Sequence, residues 1–87
     1  MHSVIYSPAA RKDLKSLPDD AARRIFRAVQ EIKSDPYSSV KKLKGPAKYP
    51  LYSLRVGAYR VIMMIEDDRM IIFVIEVGHR STIYRKY

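Results

Sequence analysis

Arginine, histidine and tyrosine side chains able to hold and attack a phosphodiester gather in the last third of this 87-residue chain. Leu54-Arg55-Val56-Gly57-Ala58-Tyr59-Arg60 is followed, after two apolar runs, by Val77-Gly78-His79-Arg80, with Tyr84 close behind. Alternation along strands puts Leu51, Ser53 and Arg55 on one side of the first segment, and Arg60, Ile62 and Met64 on one side of the next. Across a tight Gly57-Ala58 hairpin, Arg55 and Arg60 lie side by side if pairing is in register. Two adjacent guanidiniums repel unless an anion sits between them, and a phosphate can accept two parallel hydrogen bonds from such a group. Pairing of each arginine with Glu66 or Glu76, or plain exposure, fits the same spacing.

His79 follows Gly78 at the exit of the last strand candidate, where an imidazole can act as general acid or base near neutral pH. A single histidine more often plays a structural part, and His2 offers no second ligand at metal-binding spacing, so no metal and no cofactor are expected. Tyr84 and Tyr87 alternate with Arg85 and Lys86, a pattern suited to stacking on unpaired bases while neutralising backbone charge. The same tyrosines could instead dock the tail onto the sheet, burying a ring and leaving a hydroxyl wet. Tyr84 is also a candidate proton-transfer group.

Net charge is +8, and no acidic residue occurs between Asp35 and Glu66, an interval that holds Lys41, Lys42, Lys44, Lys48, Arg55 and Arg60. Such a single-sign region attracts a polyanion through counterion release, so these lysines, with Arg85 and Lys86, are candidate RNA contacts. A solvated basic face that aids solubility is the bland alternative. The absence of cysteine excludes a disulfide framework, a zinc–cysteine site and a thiol nucleophile. The longest apolar run, Met70 to Ile75, falls far short of the roughly 20 residues of a membrane span, and the N-terminal residues lack a secretory pattern. A soluble cytoplasmic protein with no membrane partner is expected.

The elements that must position these residues fit one domain over 1–87. Val4-Ile5-Tyr6 is a short β-prone run, and Pro8 suits the first turn of a helix reaching Ser16. A second helix follows Pro18, capped by Asp19 or Asp20, with Ala22, Ile25, Val29 and Ile32 as its apolar stripe. Asp35-Pro36 stops it, and Tyr37 to Pro50 reads as a long basic loop. Strands are expected over 51–56, 59–66 and 69–77, joined by two-residue turns at Gly57-Ala58 and Asp67-Asp68. The fold class is α+β: an N-terminal strand and an αα-hairpin packed on a small antiparallel β-sheet. Both alternating sets of the last two strands are apolar, so the second sheet face needs a cover from loop, tail or partner.

In this order of elements, Leu43-Lys44-Gly45, the segment from Leu51 to Ile62 and Val77-Gly78-His79-Arg80-Ser81-Thr82-Ile83-Tyr84 resemble the RelE/ParE superfamily of toxins. The resemblance spans nearly the whole chain, and Leu-Arg-Val-Gly-x-Tyr-Arg and Val-Gly-His-Arg are its most specific parts. It implies a toxin of a toxin–antitoxin system with a cognate RelB-like antitoxin. Its RelE branch implies ribosome-dependent cleavage of mRNA, by metal-independent attack of a ribose 2′-hydroxyl on the adjacent phosphate. Carried over by motif, Arg60 binds the scissile phosphate, Arg80 assists it or the leaving oxygen, and Tyr84 takes the catalytic tail position. Arg55 matches one of two basic positions on the preceding strand. Ser53 falls on the other and cannot replace a cation, so His79 becomes a candidate for the missing acid or base. The sibling ParE branch, a gyrase inhibitor without nuclease activity, and a plain basic RNA-binding module are the alternatives.

Overall fold

A computed structural model describes residues 1–43 and 50–87. The first helix, α1 (Pro8–Lys15), starts where Pro8 supplies a preset φ and the Ser7 side chain accepts from the Ala10 N–H at 3.0 Å. After Pro18, α2 (Asp19–Glu31) lies antiparallel in the hairpin and ends in a 3-10 turn over Ile32–Ser34. Neither Asp19 nor Asp20 caps α2. Pro18 occupies the cap without a side-chain bond, and both acids fall in the first turn, where they complement the helix dipole. The buried stripe is Ala21, Ile25, Val29 and Ile32; Ala22 is half-buried on the groove toward Leu14 and Phe26.

Five strands form one sheet: β1 (Ser3–Tyr6), β2 (Val40–Lys42), β3 (Leu51–Val56), β4 (Tyr59–Glu66) and β5 (Ile71–His79), in the order β1-β5-β4-β3-β2. The expected α+β class is observed, and β2 to β5 pair antiparallel. β1 instead pairs with β5 in parallel at the sheet edge, because the chain returns to that edge only after the whole hairpin and meander. β2 lies within the stretch expected to be loop. It is a three-residue edge strand whose Val40 packs against the core while Lys41 and Lys42 stay exposed, as suits an edge guarded by lysines.

Gly57-Ala58 forms the expected two-residue turn. Gly57 has φ +60° and Ala58 does not, the pattern of a type II′ hairpin. The next turn is longer than expected. Asp67–Met70 intervene between Glu66 and Ile71, Met70 adopts φ 55°, and Arg69 makes two 2.7 Å bonds back to Glu66. β5 runs to His79, two residues past the expected end, and carries a bulge opposite Ile62/Met63. Val74 and Val77 therefore both enter the helix-side core, and Glu76 pairs with Ile62 on the other face.

The core lies between the helix hairpin and one sheet face, built on Ile25, Val29, Leu54, Val61, Met63, Ile72 and Val74. The other face is partly covered by a third helix, α3 (Arg80–Lys86), which packs on β5 and β4. Its buried residue is Ile83, which rests on Gly78: a Cβ there would meet Ile83 Cδ1 and Cγ1 at 3.2 Å. No helix among the described residues is long and apolar enough to cross a membrane.

Candidate phosphate-binding cleft

Register brings the arginines of the meander together. Arg55 is the cross-strand partner of Arg60, and Ser53 that of Ile62, so all four share the face that α3 covers. Arg60 does not turn toward Arg55. Its Nη1 donates to the buried Ser53 hydroxyl at 3.1 Å and its Nη2 to the Tyr84 hydroxyl, with the guanidinium 4.6 Å from the Tyr84 ring centroid. Arg60 Nε is buried and has no partner among the described residues.

The acids that could have neutralised this group are engaged elsewhere. Glu66 is bound by Arg69, while Glu76 accepts from Lys86 and, at 3.0 Å, from the Tyr87 hydroxyl. The Lys86 bond holds the Glu76 carboxyl below its ordinary range despite partial burial, and Lys86 is raised in return. Burial first, then the bond to Glu76, raises Tyr87. Arg60 thus faces hydroxyls, with no carboxylate partner among the described residues and an unused Nε donor, an arrangement suited to an anion.

Around it lies a cleft of about 280 Å³, walled by Lys41, Lys42 and Leu43 on the β2 side, Ser53 and Arg60 on its floor, and Ile83, Tyr84 and Tyr87 of the tail helix. Tyr84 is more than half exposed, with the Arg60 guanidinium over its ring. Positive side chains, a stacking surface and a polar floor suit one phosphate with its adjoining base.

The other candidates are placed differently. Arg55 is exposed and turns back on its own hairpin, its Nε donating to the Gly57 carbonyl at 3.4 Å. Arg80 opens α3; its backbone N–H donates to the Ala58 carbonyl of the same hairpin at 2.8 Å, and the residue is exposed. Neither lines the cleft, and nor does the exposed Arg85. His79 is separated from Arg60 by the sheet itself. It pairs with Tyr59, whose ring it meets edge-on at 6.0 Å on the helix-hairpin side, whereas Arg60 pairs with Gly78. Its Nδ1 accepts from the Ser81 N–H at 3.2 Å, so the imidazole caps α3. Lys86 holds Glu76 rather than standing free, and Lys44 and Lys48 lie outside the described residues. Ser53, read in the sequence only as the place of a missing cation, and Tyr87, read there as a stacking or docking residue, both line the cleft. Among the described residues, no three His, Asp or Glu side chains are grouped so as to hold a metal ion.

The chain is thus a small α+β scaffold carrying a guanidinium–phenol pair in a cleft walled by two lysines. The family described as "ParE toxin of type II toxin-antitoxin system, parDE" matches residues 4–84. The chain is 33% identical to toxin RelG of Mycobacterium tuberculosis, with 98% of each covered. It is 26% identical to the mRNA interferase toxin RelE of Escherichia coli, over 87% of this chain and 80% of that one. A chain in the crystal structure of the toxin–antitoxin complex RelBE2 from Mycobacterium tuberculosis superposes with a TM-score of 0.80 at 26% identity, covering 91% of this chain and 98% of the other. The protein therefore belongs to the RelE/ParE superfamily, and is a RelE-like toxin of a type II toxin–antitoxin system.

Proposed function

We propose that the protein is a ribosome-dependent endoribonuclease that cleaves mRNA in the cytoplasm without a metal ion. The observation that carries this reading is Arg60, free of carboxylates among the described residues and meeting the Tyr84 hydroxyl in a cleft flanked by Lys41 and Lys42. The names of the relatives, mRNA interferase among them, support the same reaction class.

In the reaction, the ribose 2′-oxygen bonds to phosphorus and the bond from phosphorus to the 5′-oxygen breaks, leaving a 2′,3′-cyclic phosphate and a 5′-hydroxyl. Arg60 donates to the non-bridging oxygens, whose charge grows in the transition state. The proton lost by the 2′-hydroxyl ends on the departing 5′-oxygen, passed by way of the Tyr84 hydroxyl already beside that guanidinium, and the exposed Tyr84 ring stacks on the adjoining base. Arg55 and Arg80, by the Gly57-Ala58 hairpin, contact neighbouring phosphates, and Lys41 and Lys42 guide the strand along β2. Arg85 adds an exposed positive charge on α3, Lys44 and Lys48 are RNA contacts proposed from their charge in the sequence alone, and the capping His79 holds the start of α3.

A cognate RelB-like antitoxin is the partner that restrains it. Ile5, Met64, Phe73 and Ile75 leave an apolar groove on the cleft side of the sheet, beyond α3. With a net charge of +8, that face suits an acidic segment that folds on binding. Co-purification of the toxin with the product of the adjacent gene tests this, and a toxin that stays monomeric in that mixture contradicts it.

Mapping transcript ends after induction tests the activity. Wild type is expected to produce new cuts within translated codons, and Arg60→Ala none. The ParE description of the matching family favours a second reading, inhibition of gyrase. Blocked supercoiling by purified toxin, with transcripts intact, would establish that reading in place of the first.

A further inference from the structure

Seven residues are too few for a helix to persist in water by itself, so α3 exists only through its anchors. His79 caps its first turn, and Ile83 rests on Gly78. The last turn carries Tyr84 at its beginning and Lys86 and Tyr87 at its end. Both of the latter bind the two oxygens of one carboxylate, Glu76.

We infer that Glu76 is the positioning residue of the cleft: by holding Lys86 and Tyr87 it seats the last turn of α3 so that the Tyr84 hydroxyl meets Arg60. This rests on the reading of the cleft as a cleavage site. Among the described residues Glu76 makes its hydrogen bonds to Lys86 and Tyr87, none to Arg60 or Tyr84, and it does not line the cleft. Its place depends on the β5 bulge, which sets it opposite Ile62 on the face beneath α3. Its side chain is 20% exposed and that of Lys86 53% exposed, so the ion pair adds little to global stability. Its effect is concentrated in where one phenol sits, and the two contributions can be separated by experiment.

The test compares wild type, Glu76→Ala, Glu76→Gln, Tyr84→Phe and the Glu76→Ala/Tyr84→Phe double variant. Single-turnover cleavage of mRNA on programmed ribosomes is measured alongside amide hydrogen exchange of the free protein. A shift of about an ångström in a reacting group costs on the order of a hundredfold in rate. Glu76→Ala is expected to lose roughly tenfold to a hundredfold at saturating ribosomes, with the half-saturating concentration unchanged. Exchange should quicken over residues 80–86 but not over β4 and β5. Glu76→Gln, whose carboxamide oxygen still accepts from Lys86 or Tyr87, should recover most of the rate. In the Tyr84→Phe background, Glu76→Ala should cost nothing further.

Unchanged exchange over 80–86, an unchanged rate in Glu76→Ala, or additive losses in the double variant would each overturn the inference. Wild-type protein that cleaves nothing would instead overturn the reading of the cleft, while the exchange comparison would still decide whether Glu76 seats α3.

Discussion

Ser53 stands where the superfamily pattern places a cation, yet its hydroxyl is the acceptor that fixes the Arg60 guanidinium at 3.1 Å. A buried hydroxyl beneath a guanidinium trades one positive charge for a defined direction of the other. Ser53→Ala should therefore lower the single-turnover rate by loosening Arg60, and lower global stability by about 1.5–3 kcal/mol for a lost hydrogen bond to a charged group, read in denaturant titrations. Tyr84→Phe preserves the ring 4.6 Å from the guanidinium and removes only the hydroxyl. Its expected loss is about 10²- to 10⁴-fold in rate, with RNA binding retained, as measured by cleavage and by filter binding. Arg60→Ala should cost about 2.7–4 kcal/mol of transition-state stabilisation, with a native circular dichroism spectrum. Arg60 and Tyr84 stood out in the sequence through residue type and motif. The service of Ser53 could not be read there, because it depends on Arg60 folding back across the strand pair instead of toward Arg55.

Among the elements, the hairpin of β3 and β4 was legible because Gly57-Ala58 marks a two-residue turn, and a turn that short fixes the register of the strands it joins. β2 was not, since two of its three residues are lysines and its pairing with β3 is decided by Val40 reaching the core. α3 was hidden for a similar reason: one buried isoleucine in seven residues makes no periodic signal, and a histidine is an uncommon cap. Gly78→Ala probes the seat of that helix. A Cβ 3.2 Å from Ile83 Cδ1 and Cγ1 requires that side chain to give by a few tenths of an ångström, and with the seat of α3 loosened, amide exchange over 80–86 should quicken while β4 and β5 stay protected. On the opposite wall, Lys41→Ala with Lys42→Ala should lower the salt dependence of single-stranded RNA binding. The slope of log K against log salt should fall by about 0.7 for each phosphate contact removed.

For the molecule as a whole, carboxylates tie distant parts of the chain together. Asp67, between β4 and β5, accepts from Tyr37 at 2.7 Å and meets His2 at 3.1 Å, while Glu76 holds α3. Asp67 is held below its ordinary 3.8, by Tyr37 first and then His2, and Glu76 below its ordinary 4.5 by Lys86. Depressed carboxylates stabilise the fold above their unfolded values, and that contribution disappears as pH falls through the folded ones. Tm should therefore fall as pH drops below about 3.8, with Asp67→Asn showing a smaller decline in thermal scans across that range, while loss of the Glu76 pair shows locally, in amide exchange over 80–86. Tyr37 has the opposite sign. Burial, followed by its bond to Asp67, pushes its hydroxyl up from 10.0 to about 12, so its contribution is intact below pH 10 and is lost as pH rises toward 12.

The parallel pairing of β1 with β5 also sets an order of events. Ser3 meets Ile71 and Tyr6 meets Val74, so the first strand has no sheet neighbour until nearly the whole chain exists. In a chain made from its N-terminus, the helix hairpin and the β3–β4 hairpin can form early from local contacts, whereas this closure spans 68 residues and waits for β5. The helix that brings Tyr84 to Arg60 comes later still. A nascent copy accordingly carries its arginines long before it carries a cleft, and the capacity to do harm arrives in the last step of its own folding.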